Sequence, residues 1–356
     1  MSAVSPSGST IRDVARVAGV SLGTVSNYLN DVKPISPKTR VRIEQAIENL
    51  EFVPNRALRT MHGGRSPAIG FVVSDSPDPF FVEVARGVED VIRSAGIVLV
   101  SCNTKGKQEY ESSYVKVLAE MRVTGAIVMP SFEHSDVPFR GLRASGAGLV
   151  VLGEWDDDTC AISFDDRLGG QLAIEHLIEL GHTDIVFLGG PGGEHQIEQR
   201  YLGALTALSP FSPDASLRRV DAAGVTVQDR AFLADQVLAL DPRPTAIFAA
   251  SDTLALAVLN ELLRRDIRVP GEMAVVGFNN IAAAQLAVVP LTTVSVPQYE
   301  MGIRAAQLLL DELRPGHVHQ QLLLKPNLIV RESTRSVATP GLEGPTNKAS
   351  RRRPQD

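Results

Sequence analysis

Residues 10–30 read T-I-R-D-V-A-R-V-A-G-V-S-L-G-T-V-S-N-Y-L-N, from Thr10 to Asn30. The spacing divides them into two short helices joined by a tight turn. Ile11, Val14, Ala15 and Ala18 recur at i, i+3, i+4 and i+7 and share one helical face. Thr10 stands before them as an N-cap, with Asp13 three residues on in the capping-box position. Gly19 supplies the backbone freedom of a sharp turn. Ser21 can cap the second helix, and Val25 and Leu29, four apart, dock it on the first. The outer face is then Leu22, Gly23, Ser26 and Asn27, with little bulk and no carboxylate to oppose phosphate. A helix-turn-helix has this plan, its second helix entering the major groove by the N-terminal turn. Any small helical hairpin shares the spacing.

The same stretch spells G-x-S-x-G at Gly19-Val20-Ser21-Leu22-Gly23, the hydrolase nucleophile elbow. That elbow needs a buried strand before the serine. Here an amphipathic helix precedes it, so the match is fortuitous.

The 356 residues leave room for two or three domains, and 44% hydrophobic content is that of a globular protein. No apolar run reaches the length of a bilayer span. The first residues lack a basic n-region and an apolar h-region, so no signal peptide is expected. Two cysteines, Cys102 and Cys160, argue for a reducing cytoplasm and against a disulfide scaffold. Net charge is −6, which taken alone speaks against nucleic acid. Its distribution does not. Residues 1–66 carry nine Lys/Arg and five Asp/Glu, a balance of +4; the remainder carries 26 and 36, a balance of −10. A basic head on an acidic body is oriented head-first towards phosphate.

Ser36-Pro37 opens a third helix, with Ser36 as cap, Pro37 at the first helical position and Ile43, Ala46, Ile47 and Leu50 as its stripe. Lys38, Arg40 and Arg42 near its start are either phosphate contacts or a solvated face. Residues 1–53 are thus expected to form a small DNA-binding head. Residues 54–66 are expected to be a short helix followed by a linker. Arg56 and Arg59 beside apolar residues suit the minor groove, although on composition alone a plain connector is the better reading.

From Ala68 the pattern changes. Near-continuous apolar runs (Ile69–Val73, Ile97–Ser101, Ala126–Met129, Leu149–Leu152, Ile185–Leu188, Thr245–Ala249, Ala274–Phe278) alternate with amphipathic stretches (Phe81–Ala95, Tyr110–Met121, Gly170–Leu180, Arg200–Leu208, Thr253–Arg265, Glu300–Leu313). Such alternation means parallel sheets covered on both faces. The expectation for 67–337 is a doubly wound α/β core of two lobes, with a cleft at the carboxyl ends of the strands. Residues 338–356, rich in Pro, Gly, Lys and Arg without apolar period, are expected to be a disordered tail.

Together these segments resemble the lactose- and purine-repressor family of bacterial transcription regulators over about residues 10 to 335. The markers are I-R-D-V-A-R-V-A-G-V-S-L-G-T-V-S-N-Y-L-N, F-V-P-N-R-A-L, D-P-F-F-V-E-V-A-R-G-V-E, A-I-E-H-L-I-E-L-G-H-T-D-I, R-Y-L-G-A-L-T-A-L, P-T-A-I-F-A-A-S-D-T-L-A-L and V-P-G-E-M-A-V-V-G-F-N-N-I. Seven motifs in family order make the resemblance specific. It implies a homodimer on a near-palindromic operator. It also implies that Leu22, Gly23 and Asn27 read bases, Asn27 by bidentate pairing with adenine. Thr10, Ser21, Thr24, Ser26, Asn30 and Asn55 fall at family positions that hold phosphates or bases, and Arg56 lies in the hinge. Met61 stands where the family inserts a leucine between base steps, so the resemblance favours the hinge over the plain connector.

The same resemblance extends to the two-lobed sugar-binding proteins of transport systems and makes the cleft an effector site. Phe80 and Phe81 fall in the effector-contacting loop, where an aromatic face can stack on a sugar ring; Phe80 fits a core position as well. Arg200 matches an arginine that clamps ligand oxygens. Glu154, Trp155, Asp165 and Asp252 are further candidates, Asp252 alternatively as a helix cap. The family's Gly-Phe-Asp is here Gly277-Phe278-Asn279, and the Asn usual before Asp252 is Ser251. Both departures prevent transfer of the effector's identity. The expectation is a sugar that releases the operator, through reciprocal coupling of the two affinities.

An enzyme is not expected. Gly189–Gly193 has neither the G-x-G-x-x-G spacing nor a P-loop lysine. His176, His182 and His195 show no metal-ligand spacing, so neither metal nor cofactor is expected. A transport receptor would share the core, but it would need export and would not need the head. No leucine heptads follow residue 338, which favours a dimer.

Overall fold

The computed structural model describes residues 9–30, 33–53, 65–130, 139–190, 195–209, 215–222 and 227–334. Near the N-terminus three helices, α1 (Ile11–Ala18), α2 (Leu22–Asn30) and α3 (Pro37–Asn49), pack around Val14, Ala15, Ala18, Val25, Ile43, Ala46 and Phe52. Ile11, Leu29, Ile47 and Leu50 close the cluster from its edge. The apolar stripes legible in the sequence are therefore the faces that meet.

The core contains two six-stranded sheets. The first is built from β1 (Ser66–Val73), β2 (Val98–Asn103), β3 (Val123–Val128), β4 (Gly148–Leu152), β5 (Cys160–Phe164) and β11 (Gln321–Leu324), in the order β11-β5-β4-β3-β1-β2, all parallel. The second uses β6 (Asp184–Gly189), β7 (Ser216–Asp221), β8 (Ala246–Ala249), β9 (Ala274–Asn279), β10 (Thr292–Ser295) and β12 (Asn327–Ile329), in the order β12-β10-β9-β8-β6-β7, with only β12 antiparallel. Every residue of β3 and of β9 is buried. That two-sided burial explains their unbroken apolar sequence. β7 and β11, at sheet edges, mix Arg or Gln with apolar residues, and the sequence pattern did not reveal them.

Helices α4 (Pro79–Ile92), α5 (Gln108–Glu120) and α6 (Arg140–Ala144) belong to the first lobe, with α12 (Gln298–Glu312) returning to it. Helices α7 (Asp166–Glu179), α8 (His195–Leu208), α9 (Val227–Leu238), α10 (Asp252–Arg264) and α11 (Ala282–Leu286) belong to the second. The chain passes between lobes three times, from β5 to α7, from β10 to α12 and from β11 to β12.

Each lobe is held by one helix pair that meets backbone to backbone. In the first, a Cβ on Gly87 of α4 would lie 2.2 Å from the Tyr299 carbonyl oxygen, and one on Gly302 of α12 would lie 2.0 Å from that of Val84. In the second, Gly170 of α7 faces the Arg200 carbonyl and Gly203 of α8 faces that of Arg167, each at 2.0 Å. Glycine is required there by approach, not by φ.

Strand order reverses at β1/β3 in one sheet and at β6/β8 in the other. Crevices outside the carboxyl ends of strands form at such points. The segments after β1 and β8 lie against each other across the lobes, which sets the place of the cleft.

Candidate nucleic-acid interface and interlobe cleft

In the head, Thr10 and Asp13 form the reciprocal capping box. The Asp13 carboxylate accepts from the Thr10 N–H at 3.0 Å and the Thr10 hydroxyl at 2.7 Å. These bonds, with Arg16, hold the Asp13 carboxyl down to about 2. Gly19 takes the left-handed conformation at φ +63° and ends α1. Ser21 Oγ accepts from the Thr24 N–H at 3.1 Å and lies 2.8 Å from the Thr24 hydroxyl, so both hydroxyls are fixed at the start of α2.

Arg42 departs from the expectation of a free phosphate contact. Its guanidinium reaches from α3 to the turn and donates to the carbonyl oxygens of Ala18 and Gly19, the latter at 2.8 Å. It satisfies carbonyls that the end of α1 leaves without partners. Arg40 lies over the Tyr28 ring, 5.3 Å from its centre, and Tyr28 donates to Glu44 at 2.9 Å. Lys38 is exposed.

With Val25 fully buried, the opposite side of α2 faces outward. Leu22 is 45% exposed, Gly23 is exposed, and Ser26 and Asn27 are partly so. Asn55, Arg56 and Met61 lie outside the described residues, as do the tail after Thr334 and the side chain of Asn30.

Arg200 is buried among partners of the second lobe. Its Nε donates to Asp166 Oδ1 at 2.8 Å and its Nη1 to the Ala250 carbonyl oxygen at 2.6 Å. The guanidinium lies 3.7 Å from the centre of the Phe278 ring, a cation–π stack. Burial pushes the Asp166 carboxyl up, with the Arg200 charge opposing. Across from it, Asp78 caps α4 by accepting from the Phe80 N–H at 2.8 Å, and its other oxygen lies 3.5 Å from the Thr253 hydroxyl of the second lobe. Burial pushes Asp78 up as well. A second link between lobes joins Glu154 Oε2 and His195 Nε2 at 3.3 Å.

Asn279 ends β9 at φ +106°, held by Gln298, whose side-chain amide donates to its carbonyl oxygen. The residue is 7% exposed, and its Oδ1 has no hydrogen-bond partner among the described residues. An unpaired buried amide oxygen costs about 1–3 kcal/mol and is rare in native structures.

Several expected site residues prove to have other roles. Phe80 and Phe81 are each 7% exposed and pack edge-to-face on Phe164 and Phe71, so both rings belong largely to the core. Asp165 caps α7 by accepting from the Leu168 N–H, and its neighbour Asp166 is the partner of Arg200. Asp252 is wholly buried, with one oxygen taken by the Thr293 hydroxyl at 2.6 Å and the other by the Ile281 N–H at 2.8 Å. It is neither placed for a ligand nor the helix cap, which is Ser251. Trp155 packs edge-on against Phe139 and, with Glu154, Ser163, Gln321, Leu322 and Leu323, lines a cavity of about 290 Å³ beside β5 and β11. From the expected set, the structure places Arg200 on the ring of Phe278, the neighbour of Asn279, and Glu154 against His195 of the second lobe. It adds Asp78, Asp166, His195 and Gln298, which the sequence reading did not assign to the site. Asp78 carried a signal, an Asp before Pro at a helix start; the others carried none.

Two family models match the chain, one for bacterial regulatory proteins of the lacI family at residues 10–55 and one for a periplasmic binding protein-like domain at 174–334. The HTH-type transcriptional repressor PurR of Vibrio parahaemolyticus is 32% identical over 337 residues, which cover 92% of this chain and 99% of that protein. The chain belongs to the lacI family. Among solved members, the Lac repressor dimer bound to operator and the anti-inducer ONPF is 26% identical with a TM-score of 0.78, over 92% of this chain and 99% of that one. The transcriptional regulator CelR in complex with cellobiose is 29% identical with a TM-score of 0.66, over 91% and 99%. As a member of the lacI family, the protein is a DNA-binding transcriptional regulator whose affinity for DNA is controlled by a small molecule bound in its core. No helix among the described residues is long and apolar enough to cross a membrane.

Proposed function

We propose that this regulator is a cytoplasmic homodimeric repressor that grips a near-palindromic operator and is released by a sugar. The observation that carries the DNA half is the exposed N-terminal face of α2. Leu22, Gly23 and Asn27 stand outward there without a carboxylate among them, on a helix fixed by Ser21 at its start and by Arg42 at the turn. Leu22 offers apolar contact to a thymine methyl, Gly23 permits close backbone approach, and Asn27 pairs with adenine. Thr10, Ser21, Thr24, Ser26, Asn30 and Asn55 hold phosphates or bases, and Arg56 and Met61 serve the minor groove. In Asn27→Ala the ranking of operator variants flattens at one position, by about 1–3 kcal/mol. An unchanged ranking, measured by competition binding on a randomised operator library, excludes that role.

The effector half rests on Arg200 and Asn279. A guanidinium stacked on Phe278 and a buried amide oxygen lacking a donor suit a ligand that both accepts and donates, as a sugar's vicinal hydroxyls do. Members in complex with cellobiose and with ribose support a sugar; the PurR repressors support a nucleobase as the second reading. A thermal-shift screen of sugars and nucleobases, followed by operator binding with each hit, separates the two. The relatives are repressors, and we read the protein as a non-enzymatic regulator.

A further inference from the structure

Cys160, His317 and His319 converge on one point of the first lobe, apart from the interlobe contacts Asp78–Thr253 and Glu154–His195. Cys160 opens β5 and is fully buried; the two histidines lie in the connection from α12 to β11. Cys160 Sγ lies 3.1 Å from His317 Nε2 and 3.8 Å from His319 Nδ1, and all three atoms fall within 4.8 Å of one another. We propose that these three side chains form a binding site for a zinc-type divalent transition-metal ion.

Distances and chemistry agree. A tetrahedral ion with bonds of about 2.3 Å to sulfur and about 2.05 Å to nitrogen holds sulfur and nitrogen about 3.6 Å apart. The two observed separations straddle that value. One thiolate and two imidazoles are a ligand set that zinc accepts, with a fourth position left to water or a small ligand. The surroundings are also those of a metal site. His317 Nδ1 is 3.1 Å from Asp311 Oδ2, which turns Nε2 and its lone pair towards Cys160, the carboxylate–histidine arrangement that orients metal ligands. The His317 side chain is only 5% exposed, whereas His319 is exposed and gives the ion a way in. Cys160 stands 157 residues from His317, so no spacing in the sequence joins them. Occupied, the site would fasten the α12–β11 connection to β5. β11 then leads directly into the third passage between lobes, so the ion would stiffen one of the three interlobe strands.

The test uses the full chain, stripped with chelator and titrated with cobalt(II), followed by displacement with zinc. The expected result is one equivalent per chain with a thiolate-to-cobalt charge-transfer band. Cys160→Ala abolishes the band, Cys102→Ala leaves it, and His319→Gln and Asp311→Asn each weaken binding about tenfold or more. Absence of the band in the parent protein, or its persistence in Cys160→Ala, overturns the proposal. Because Cys160 lies in the core, circular dichroism checks each variant. If Cys160→Ala does not fold, the exposed His319→Gln decides, and unchanged cobalt affinity there overturns the site.

Discussion

Asp252 shows how a single buried carboxylate ties the end of one strand to the next. It accepts from Thr293 on β10 and from the Ile281 N–H after β9, and burial pushes its carboxyl up to about 7. In the unfolded chain it titrates near 3.8. Between those values the folded state holds a proton that the unfolded state has released, so its stabilising contribution is present below pH 3.8 and lost as pH rises through about 7. Urea melts of the parent from pH 5 to 8 show stability falling by up to about 1.4 kcal/mol per pH unit from this group, and the Asp252→Asn melts are flatter by that amount. Arg42 provides the second residue-scale prediction. Since its guanidinium braces the turn, Arg42→Met lowers the melting temperature of the head and weakens operator binding without changing the slope of log K against log salt. A phosphate contact removed would reduce that slope by about 0.9.

At the scale of elements, the head is three helices whose boundaries and docking faces were written in the spacing of Ile11, Val14, Ala15, Ala18, Val25 and Ile43. Local rules sufficed because caps and stripes are properties of neighbouring residues. The core strands were legible where both faces are covered. β5, β7, β10, β11 and β12 were not, being short or at sheet edges, where polar residues interrupt the apolar run. The pairing of α7 with α8 was also hidden, because the glycines that allow it, Gly170 and Gly203, look ordinary in sequence. A Cβ at Gly203 would meet Arg167 backbone, which cannot swing aside. Gly203→Ala therefore costs about 1–3 kcal/mol in chemical denaturation. It also weakens effector binding, since Arg200 lies one turn earlier on the same helix.

For the whole molecule, the lobes touch between the segments after β1 and β8, through Asp78–Thr253, and between the segments after β4 and β6, through Glu154–His195. A ligand bound at Arg200 and Asn279, as proposed, would favour one lobe arrangement over another. Operator and effector are then linked through that arrangement, and the linkage must be reciprocal. If saturating sugar weakens operator binding by a given factor, saturating operator weakens sugar binding by the same factor. Titration calorimetry of the sugar with and without operator duplex measures this, and unequal factors would break the two-arrangement description.

The sequence by itself determined the helix-turn-helix head, the class of the core and the charge division between them. These follow from periodicities of 3.6 and 2, from caps and from composition, which need no knowledge of distant contacts. Only the tertiary structure decided which carboxylate meets Arg200, that Asp252 and the two phenylalanines serve the core, that Arg42 braces the turn, and that Cys160 meets His317 and His319. A side chain's partner depends on where separate segments come to rest in space, and burial changes the work of a charged group without changing its letter.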